Sequence, residues 1–444
     1  MISQKKDLPP KWVLASLEDI STKITDGTHK TPSYLEKGVP FISTSNLNPF
    51  NKEFLFNDYE KYISINEHNE LTKRCKPERG NLLVSKCGTI GRTQVVNVDY
   101  DFSIFVGLAL IKINKNYVSP KYLEYLLNSP QIQKEMIELS PGTGRKTLTL
   151  KALKTIKIPI APFAEQGRIV NKLEELFTRF DNGMQQLQKA QAQLKRYKQS
   201  ILKKAFQGNF IKNHTLKQLK VGDIADKIHY GYTASASNEV IGPKFLRITD
   251  IQNGQVNWDT VPFCEIENEK INRYKLQEGD LLFARTGATV GKSYLIPSGI
   301  PDTVFASYLI RIILKEQVFK KYVYYYFQSS DYWLQISQGQ LGIGQPNVNA
   351  QILSKITIPI PSYEDQIKIT QIIENNMSII EKIENDIISI NKQIRVMKNL
   401  ILKTAFNGKL VPQSDLDESA SILLELIHRE KGGLKLKIGE AEGG

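Results

Sequence analysis

The residues of this chain that come nearest to a ligand site are Gly287-Ala288-Thr289-Val290-Gly291-Lys292-Ser293. A nucleotide-binding loop follows G-x-x-x-x-G-K-[ST], a spacing that lets backbone N–H groups wrap a phosphate. Here the spacing is one residue short, and Thr286 stands where the first Gly belongs. The stretch also lies between two β-type runs, with no helix following. A Gly-rich hairpin offering Arg285, Lys292 and backbone amides to a DNA phosphate fits these residues better. Other catalytic patterns are missing. No Asp-x-Lys, Glu-x-Lys, G-x-S-x-G or H-x-x-x-H occurs, and Asn48-Pro49-Phe50 is too short for a methyltransferase loop. His29, His68, His214, His229 and His428 are scattered without ligand spacing. Cys75, Cys87 and Cys264 are odd in number and form no C-x-x-C, which fits a reducing cytoplasm rather than a disulfide or zinc scaffold. Together these absences point away from an independent catalyst, and neither metal nor cofactor is expected in this chain.

Two further stretches have the residue types for base or phosphate contact. Ser140-Pro141-Gly142-Thr143-Gly144-Arg145-Lys146-Thr147 is Gly-rich, basic and hydroxylated, and its counterpart is Gln338 to Asn349. Arg and Lys suit guanine edges or phosphates, whereas Asn and Gln suit adenine. The candidate DNA contacts are therefore Lys86, Thr89, Arg92, Thr143, Arg145, Lys146 and Thr147 in the first half of the chain. In the second half they are Arg285, Thr289, Lys292, Gln345, Asn347 and Asn349. The plainer alternative is that these are ordinary turn-rich loops. Charge bears on the choice. The net +13 is uneven: residues 1–162 carry +7, 163–212 carry +6, 213–360 carry +2 and 361–444 carry −2. A polyanionic partner, most naturally nucleic acid, is one reading; an ordinary basic surface is the other.

The elements that must position these loops come in duplicate. Ile201-Leu202-Lys203-Lys204-Ala205-Phe206-Gln207-Gly208 returns 200 residues later as Ile401-Leu402-Lys403-Thr404-Ala405-Phe406-Asn407-Gly408. Ile156-Lys157-Ile158-Pro159-Ile160 returns as Ile356-Thr357-Ile358-Pro359-Ile360, and Arg79-Gly80-Asn81-Leu82-Leu83 as Glu278-Gly279-Asp280-Leu281-Leu282. The block order never changes, so the chain is two tandem copies of one unit of about 200 residues. The first ~150 residues of each copy mix short β-type runs (81–85, 102–113, 280–284, 304–314) with helical patterns at 120–127 and 319–327, which predicts a compact α/β domain.

The rest of each copy is helical. From 163 to 206 there is no proline, and apolar residues recur at gaps of four and three: Ile169, Leu173, Leu176, Phe180, Leu187, Ala190, Leu194, Tyr197 and Ile201. The second copy keeps the frame with Ile369, Ile373, Ile380, Ile383, Ile387, Ile390, Ile394, Met397 and Ile401, with Asn376 as its polar member. More than four heptads of this kind predict a coiled coil rather than two helices of a globular core. About 40 residues make a rod of roughly 60 Å. The second helix must bury its seam, and an antiparallel first helix is the nearest partner. The expected fold is α/β: two heads on an antiparallel helix pair, a pseudo-two-fold dumbbell. That pairing also returns the end of the second helix to Pro9-Pro10-Lys11-Trp12. The expected boundaries are 1–155 and 211–355 for the heads, 156–210 and 356–412 for the helical regions, and 413–444 for an amphipathic segment and tail.

Composition agrees with such a molecule. With 444 residues, 41% hydrophobic and 24% charged, the chain has room for about three domains. No apolar run reaches the ~18 residues of a membrane span, and residues 1–11 lack a signal-peptide core, so a cytoplasmic protein with no membrane contact is expected.

These repeated blocks resemble the specificity (S, HsdS) subunit of Type I restriction–modification systems. The resemblance lies in the proline-rich lead Ile158-Pro159-Ile160-Ala161-Pro162-Phe163-Ala164-Glu165-Gln166 and its second copy, which has Asp365 before Gln366. It extends to the helix-end blocks around Ala205-Phe206 and Ala405-Phe406, to Leu8-Pro9-Pro10-Lys11-Trp12, and to Ser421-Ile422-Leu423-Leu424-Glu425-Leu426-Ile427, covering about residues 8 to 430. It implies two target-recognition domains, each reading half of a split double-stranded DNA site. It also implies helices that fix the spacing and dock two modification (methyltransferase) subunits. S-adenosylmethionine, ATP and Mg would belong to those subunits and to a restriction subunit, with none in this chain. A single-chain restriction–modification enzyme and a coiled-coil adaptor with no DNA role remain the alternatives.

Overall fold

The computed structural model describes residues 8–51, 53–55, 61–142, 146–211, 215–252, 254–286, 290–339 and 348–441, with side chains as far as Lys431 at the C-terminal end. It divides into two compact units, Met1–Gln185 with Ile390–Gly444, and Gln186–Ser389. Each unit holds one head and one end of each long helix.

The heads share a four-stranded sheet and a closing strand pair, and differ in the smaller sheets. In the first, an antiparallel sheet has the order Ser21–Asp26, Leu108–Ile113, Leu82–Ser85, Thr93–Val95. In the second, the order is Ala225–Tyr230, Leu309–Leu314, Leu281–Ala284, Ser293–Leu295. The register repeats as well: Leu82 faces Ile111 and Leu281 faces Ile312. Each head is closed at its base by an antiparallel pair, Val13–Ser16 with Lys157–Ile160 and Lys217–Lys220 with Thr357–Ile360. The sequence runs 102–113 and 304–314 each break into two strands, because residues 105–107 and 306–308 turn. The leading pieces, Ser103–Ile104 and Thr303–Phe305, then pair parallel with Val39–Ile42 and Lys244–Leu246. Helices Ile65–Arg74, Pro130–Glu138 and Leu150–Thr155 complete the first head, alongside the expected Pro120–Leu127.

The long helices span Phe163–Phe206 and Tyr363–Phe406. Both stop at a glycine in the left-handed region, Gly208 (φ 79°) and Gly408 (φ 68°), where a side chain would strain the backbone. In the first unit, Ile169, Leu173 and Phe177 share a core with Leu402, Ala405 and Phe406, and Asp181 pairs with Lys398 at 2.6 Å. In the second unit, Ile201, Leu202 and Phe206 share a core with Ile369, Ile373 and Ile380. The helix ends are therefore antiparallel within each unit.

The seam is narrower than the four-three pattern implied. Ile373, Ile380, Ile387 and Ile394, seven residues apart, are buried, and Leu173 with them; Leu176, Phe180, Leu187 and Leu194 are half-buried. Ile383, Ile390, Met397 and Tyr197 are exposed. Two helices touch along one line, so the row flanking that line stays in solvent unless a third element covers it.

Asn376 is half-buried. Its Nδ2 donates to the Ile372 carbonyl at 2.8 Å, and its Oδ1 accepts from the Tyr197 hydroxyl at 3.4 Å. Neither bond needs the amide for satisfaction, since Tyr197 reaches water. Asn376→Ile is therefore expected to raise thermal stability by about 1 kcal/mol, roughly 2–4 °C, while loosening register. A lower melting temperature would show that the amide is needed where it stands.

The sequence motifs of the repeat are joints between helix and head. Gln166 Oε1 accepts from Ser119 N at 2.8 Å, and Gln366 Oε1 from Phe319 N at 2.9 Å. Tyr122 and Tyr322 donate their hydroxyls to the carbonyls of Pro159 and Pro359 at 2.9 and 2.6 Å. Glu165 accepts from the Trp12 indole at 3.0 Å, whereas Asp365, one methylene shorter, accepts from Ser362 instead. The C-terminal segment returns to the entry of the chain. Lys11 Nζ donates to the carbonyls of Ser414, Asp415 and Asp417, and Ala420 N donates to Lys11 O. Helix Ala420–Ala441 then buries Ala420, Leu423 and Ile427 in the first core.

Candidate nucleic-acid interface

In each head the two candidate loops meet at one place. The hairpin after Leu82–Ser85 carries Lys86, Thr89 and Arg92, and Leu148 N donates to the Lys86 carbonyl at 2.8 Å. Cys87 forms a bridge with Thr147, so the loop near residue 146 lies against the hairpin. In the second head the same bond runs from Val348 N to the Arg285 carbonyl at 3.1 Å. The residue after each bond caps a short helix. Thr149 accepts from Ala152 N at 3.1 Å and Asn349 from Ile352 N at 2.8 Å. The chain therefore uses Asn349 as a helix N-cap, as it uses Thr149 in the first copy.

The fate of the predicted cations differs between residues. Lys86 is 7% exposed and pairs with Asp26 at 2.6 Å, and Arg74 holds the other carboxylate oxygen at 2.9 Å. Burial pushes the Asp26 carboxyl up, but the hydrogen bond and charge of Lys86, with His29 and Arg74, outweigh it and hold the group below its usual range. The pair therefore supports the fold above the unfolded pKa of about 3.9, and that support is lost as pH falls through the lower folded value. Lys86, expected among the exposed candidate contacts, is instead taken up by this internal ion pair. Arg92 is half-buried and turns inward, donating to the Leu47 carbonyl at 3.3 Å. Thr89, Lys146, Thr147 and Lys292 are exposed on the loops, and Arg285 is half-buried. Thr143, Arg145, Thr289, Gln345 and Asn347 lie outside the described residues.

Gly287 to Thr289 are likewise outside them, but strand Ser293–Leu295 follows directly, not the helix that a phosphate loop requires. Among the described residues no group of three or more His, Cys, Asp or Glu is placed to hold a metal ion. No helix among them is long and apolar enough to cross a membrane.

Sequence reading missed the partners that decide these fates. Asp26 lies 60 residues before Lys86, and only strand pairing brings them together. Its counterpart at the end of strand Ala225–Tyr230 is Tyr230, whose ring lies 5.0 Å from the Arg285 guanidinium.

The comparisons with known proteins match this architecture. Residues 9–196 and 213–392 each match the Type I restriction modification DNA specificity domain. The chain is 25% identical over 463 residues to the Type I restriction enzyme EcoKI specificity subunit of Escherichia coli strain K12, covering 96% of this chain and 98% of that protein. It is 24% identical over 398 residues to the MjaVIII specificity subunit of Methanocaldococcus jannaschii, covering 85% and 87%. Among solved structures, a chain from a study of assembly and conformational transition of the type I R-M system aligns with TM-score 0.70 and 18% identity, over 91% of this chain and 99% of that one. The HsdS subunit of Thermoanaerobacter tengcongensis aligns with TM-score 0.54 and 18% identity, over 91% and 98%. At such identities the two structures speak to the fold.

Proposed function

The chain belongs to the Type I restriction modification DNA specificity family, and we propose that each of its heads reads one half of a split duplex site while the long helices set the gap between the halves. The carrying observation is the duplication itself. Two heads share the strand order and register of their four-stranded sheets yet differ at the equivalent cation, which is buried against Asp26 as Lys86 in one and lies over the Tyr230 ring as Arg285 in the other. One scaffold with two chemistries suits two different half-sites read on one DNA.

The chain acts without an active site of its own. Methyl transfer falls to two modification subunits, which bind S-adenosylmethionine and dock on the helices, and a restriction subunit using ATP and Mg joins them. Large apolar side chains left in solvent on the second long helix support such docking. They are Ile379, Ile383 and Ile388 in the second unit, and Ile390, Val396, Met397 and Leu400 in the first. Within each unit, several large apolar side chains exposed on one helix favour a protein partner over water.

Lys146 and Lys292 are the exposed cations suited to the DNA backbone. Changing either to Ala is expected to weaken binding evenly across sequences and to lower the salt slope by about 1. Binding titrations over a range of salt concentrations check this; unchanged slopes in both variants would remove these loops from the interface.

The test of the mechanism is distance. Seven helical residues span about 10.5 Å, close to 3 base pairs of B-DNA. Tyr197 faces Asn376, so residues 187–193 of the first helix face residues 380–386 of the second. Deleting both heptads keeps each seam in phase. The methylated motif is expected to keep both half-sites with a spacer shorter by about 3 base pairs, at some loss of rate from the ~100° rotation. A folded, active variant with its original spacer would show that the helices are not the ruler.

A further inference from the structure

Lys86 and Arg285 occupy the same backbone position. Lys86 N donates to Gly107 O at 2.7 Å, and Arg285 N donates to Tyr308 O at 3.0 Å. The carbonyls of both accept from the incoming loop, at Leu148 and Val348. Three side chains around this position have changed together. Asp26 has become Tyr230, Lys86 has become Arg285, and Gly107 has become Tyr308.

The exchange alters what the position can do. In the first head the cation is buried and neutralised by Asp26. In the second, no carboxylate among the described residues pairs with Arg285. Its guanidinium lies over Tyr230 instead, 5.0 Å from the ring centroid. Tyr230 is itself held, because its hydroxyl accepts from Ala350 N at 3.2 Å. Arg285 Nε is shielded from solvent and has no acceptor. Tyr308, whose carbonyl accepts from Arg285 N, is 63% exposed; in the first head a side chain at Gly107 would crowd its neighbours, its Cβ lying 3.1 Å from Cys87 Sγ and from the Thr44 methyl.

An arginine whose backbone N–H and C=O are both bonded and whose guanidinium rests on a ring loses less rotamer freedom on binding than a free one. A phosphate can also take the guanidinium fork, but a point charge serves it as well, whereas a base edge requires the donors to be aimed. A planar fork in a fixed direction matches the paired O6 and N7 acceptors of guanine in the major groove. We infer that Arg285, braced by Tyr230 and flanked by Tyr308, reads a guanine in the half-site of the second head. Tyr308 supplies an apolar face to the neighbouring sugar or thymine methyl. The inference rests on the DNA-reading function proposed above and names one residue and one base within it.

The experiment uses the full chain assembled with its modification subunits in cells, with genome-wide methylation as the readout. Arg285→Ala is expected to leave one half of the motif untouched and to relax a single G·C position in the other, by roughly 5- to 150-fold in discrimination. Arg285→Gln is expected to shift that same position toward A·T, because a carboxamide pairs with adenine N6 and N7. Tyr230→Asp recreates the ion pair of the first head and is expected to relax the same position without touching Arg285 itself. A uniform fall in methylation at every position would assign Arg285 to a phosphate. An unchanged motif in all three variants would place it outside the interface, and relaxation at an A·T position would overturn the guanine assignment. If the unaltered chain directs no two-part motif, the functional reading itself fails and this inference with it.

Discussion

Exchanging residues 217–360 for the matching segment of a related chain is expected to change one half of the methylated motif and to leave the other half intact. The cut points follow from the fold. Strand Lys217–Lys220 pairs with Thr357–Ile360 in the register Lys217 to Ile360, so the exchanged segment carries both halves of its own closing pair. The helix side of the joint, Phe206 and Gln366, stays behind, and the incoming head must supply its own partners in place of Tyr322, Tyr326 and Phe319. Phe206 packs edge-on against Tyr322 at 5.2 Å and Tyr326 at 5.0 Å, and Gln366 holds Phe319 N. The first head meets its helices through the same parts, with Tyr122 against Phe406 at 5.4 Å and Gln166 on Ser119 N. A joint that one chain uses twice, under heads that differ widely in sequence, is expected to accept a third head. Methylome sequencing of the chimaera decides. A motif altered in both halves would show that the heads do not read independently.

The second expected result concerns a buried ion pair found in one head only. Arg311 Nη2 lies 2.5 Å from Asp280 Oδ2, and both side chains are 5% exposed. Burial pushes the Asp280 carboxyl up, and the Gln277 N–H and the Arg311 charge offset that only in part. The first head has Asn81 and Leu110 at these positions. Asn81 still holds the turn, accepting from Glu78 N at 2.9 Å where Asp280 accepts from Gln277 N at 2.7 Å. The charges are therefore dispensable to the fold, but only together. Arg311→Leu alone leaves a buried carboxylate without its partner and is expected to cost about 3–5 kcal/mol. That lowers the melting of the second head by roughly 6–20 °C. Adding Asp280→Asn is expected to restore stability to the starting value or above it, since replacing a buried pair whole is often neutral or stabilising by about 1–4 kcal/mol. Thermal melts of the two single variants and the double variant close the cycle. A double variant as unstable as Arg311→Leu would mean that Arg311 serves mainly through its bond to the Lys275 carbonyl, 2.9 Å away.

The sequence alone determined the duplication, the α/β heads and the extent of both long helices. The structure places those helices at Phe163–Phe206 and Tyr363–Phe406, about a turn or two beyond each end of the apolar seams read from 169 to 201 and from 369 to 401. Such features are legible because helical periodicity and repeated motifs are local, and forty residues of one pattern leave little room for another reading. Tertiary structure decided everything that depends on residues far apart in the chain. It broke the single apolar runs at 102–113 and 304–314 into strands of different sheets, because turns at Val106-Gly107 and Ser307-Tyr308, too short to interrupt the apolar pattern, redirect the chain. It left Ile383, Ile390 and Met397 in solvent, because one helix pair covers one line of contact. It also separated Lys86 from Arg285, alike in charge and in local sequence. Strand pairing sets Asp26 beside one and Tyr230 beside the other, and a cation's availability is fixed by the neighbour that strand pairing supplies.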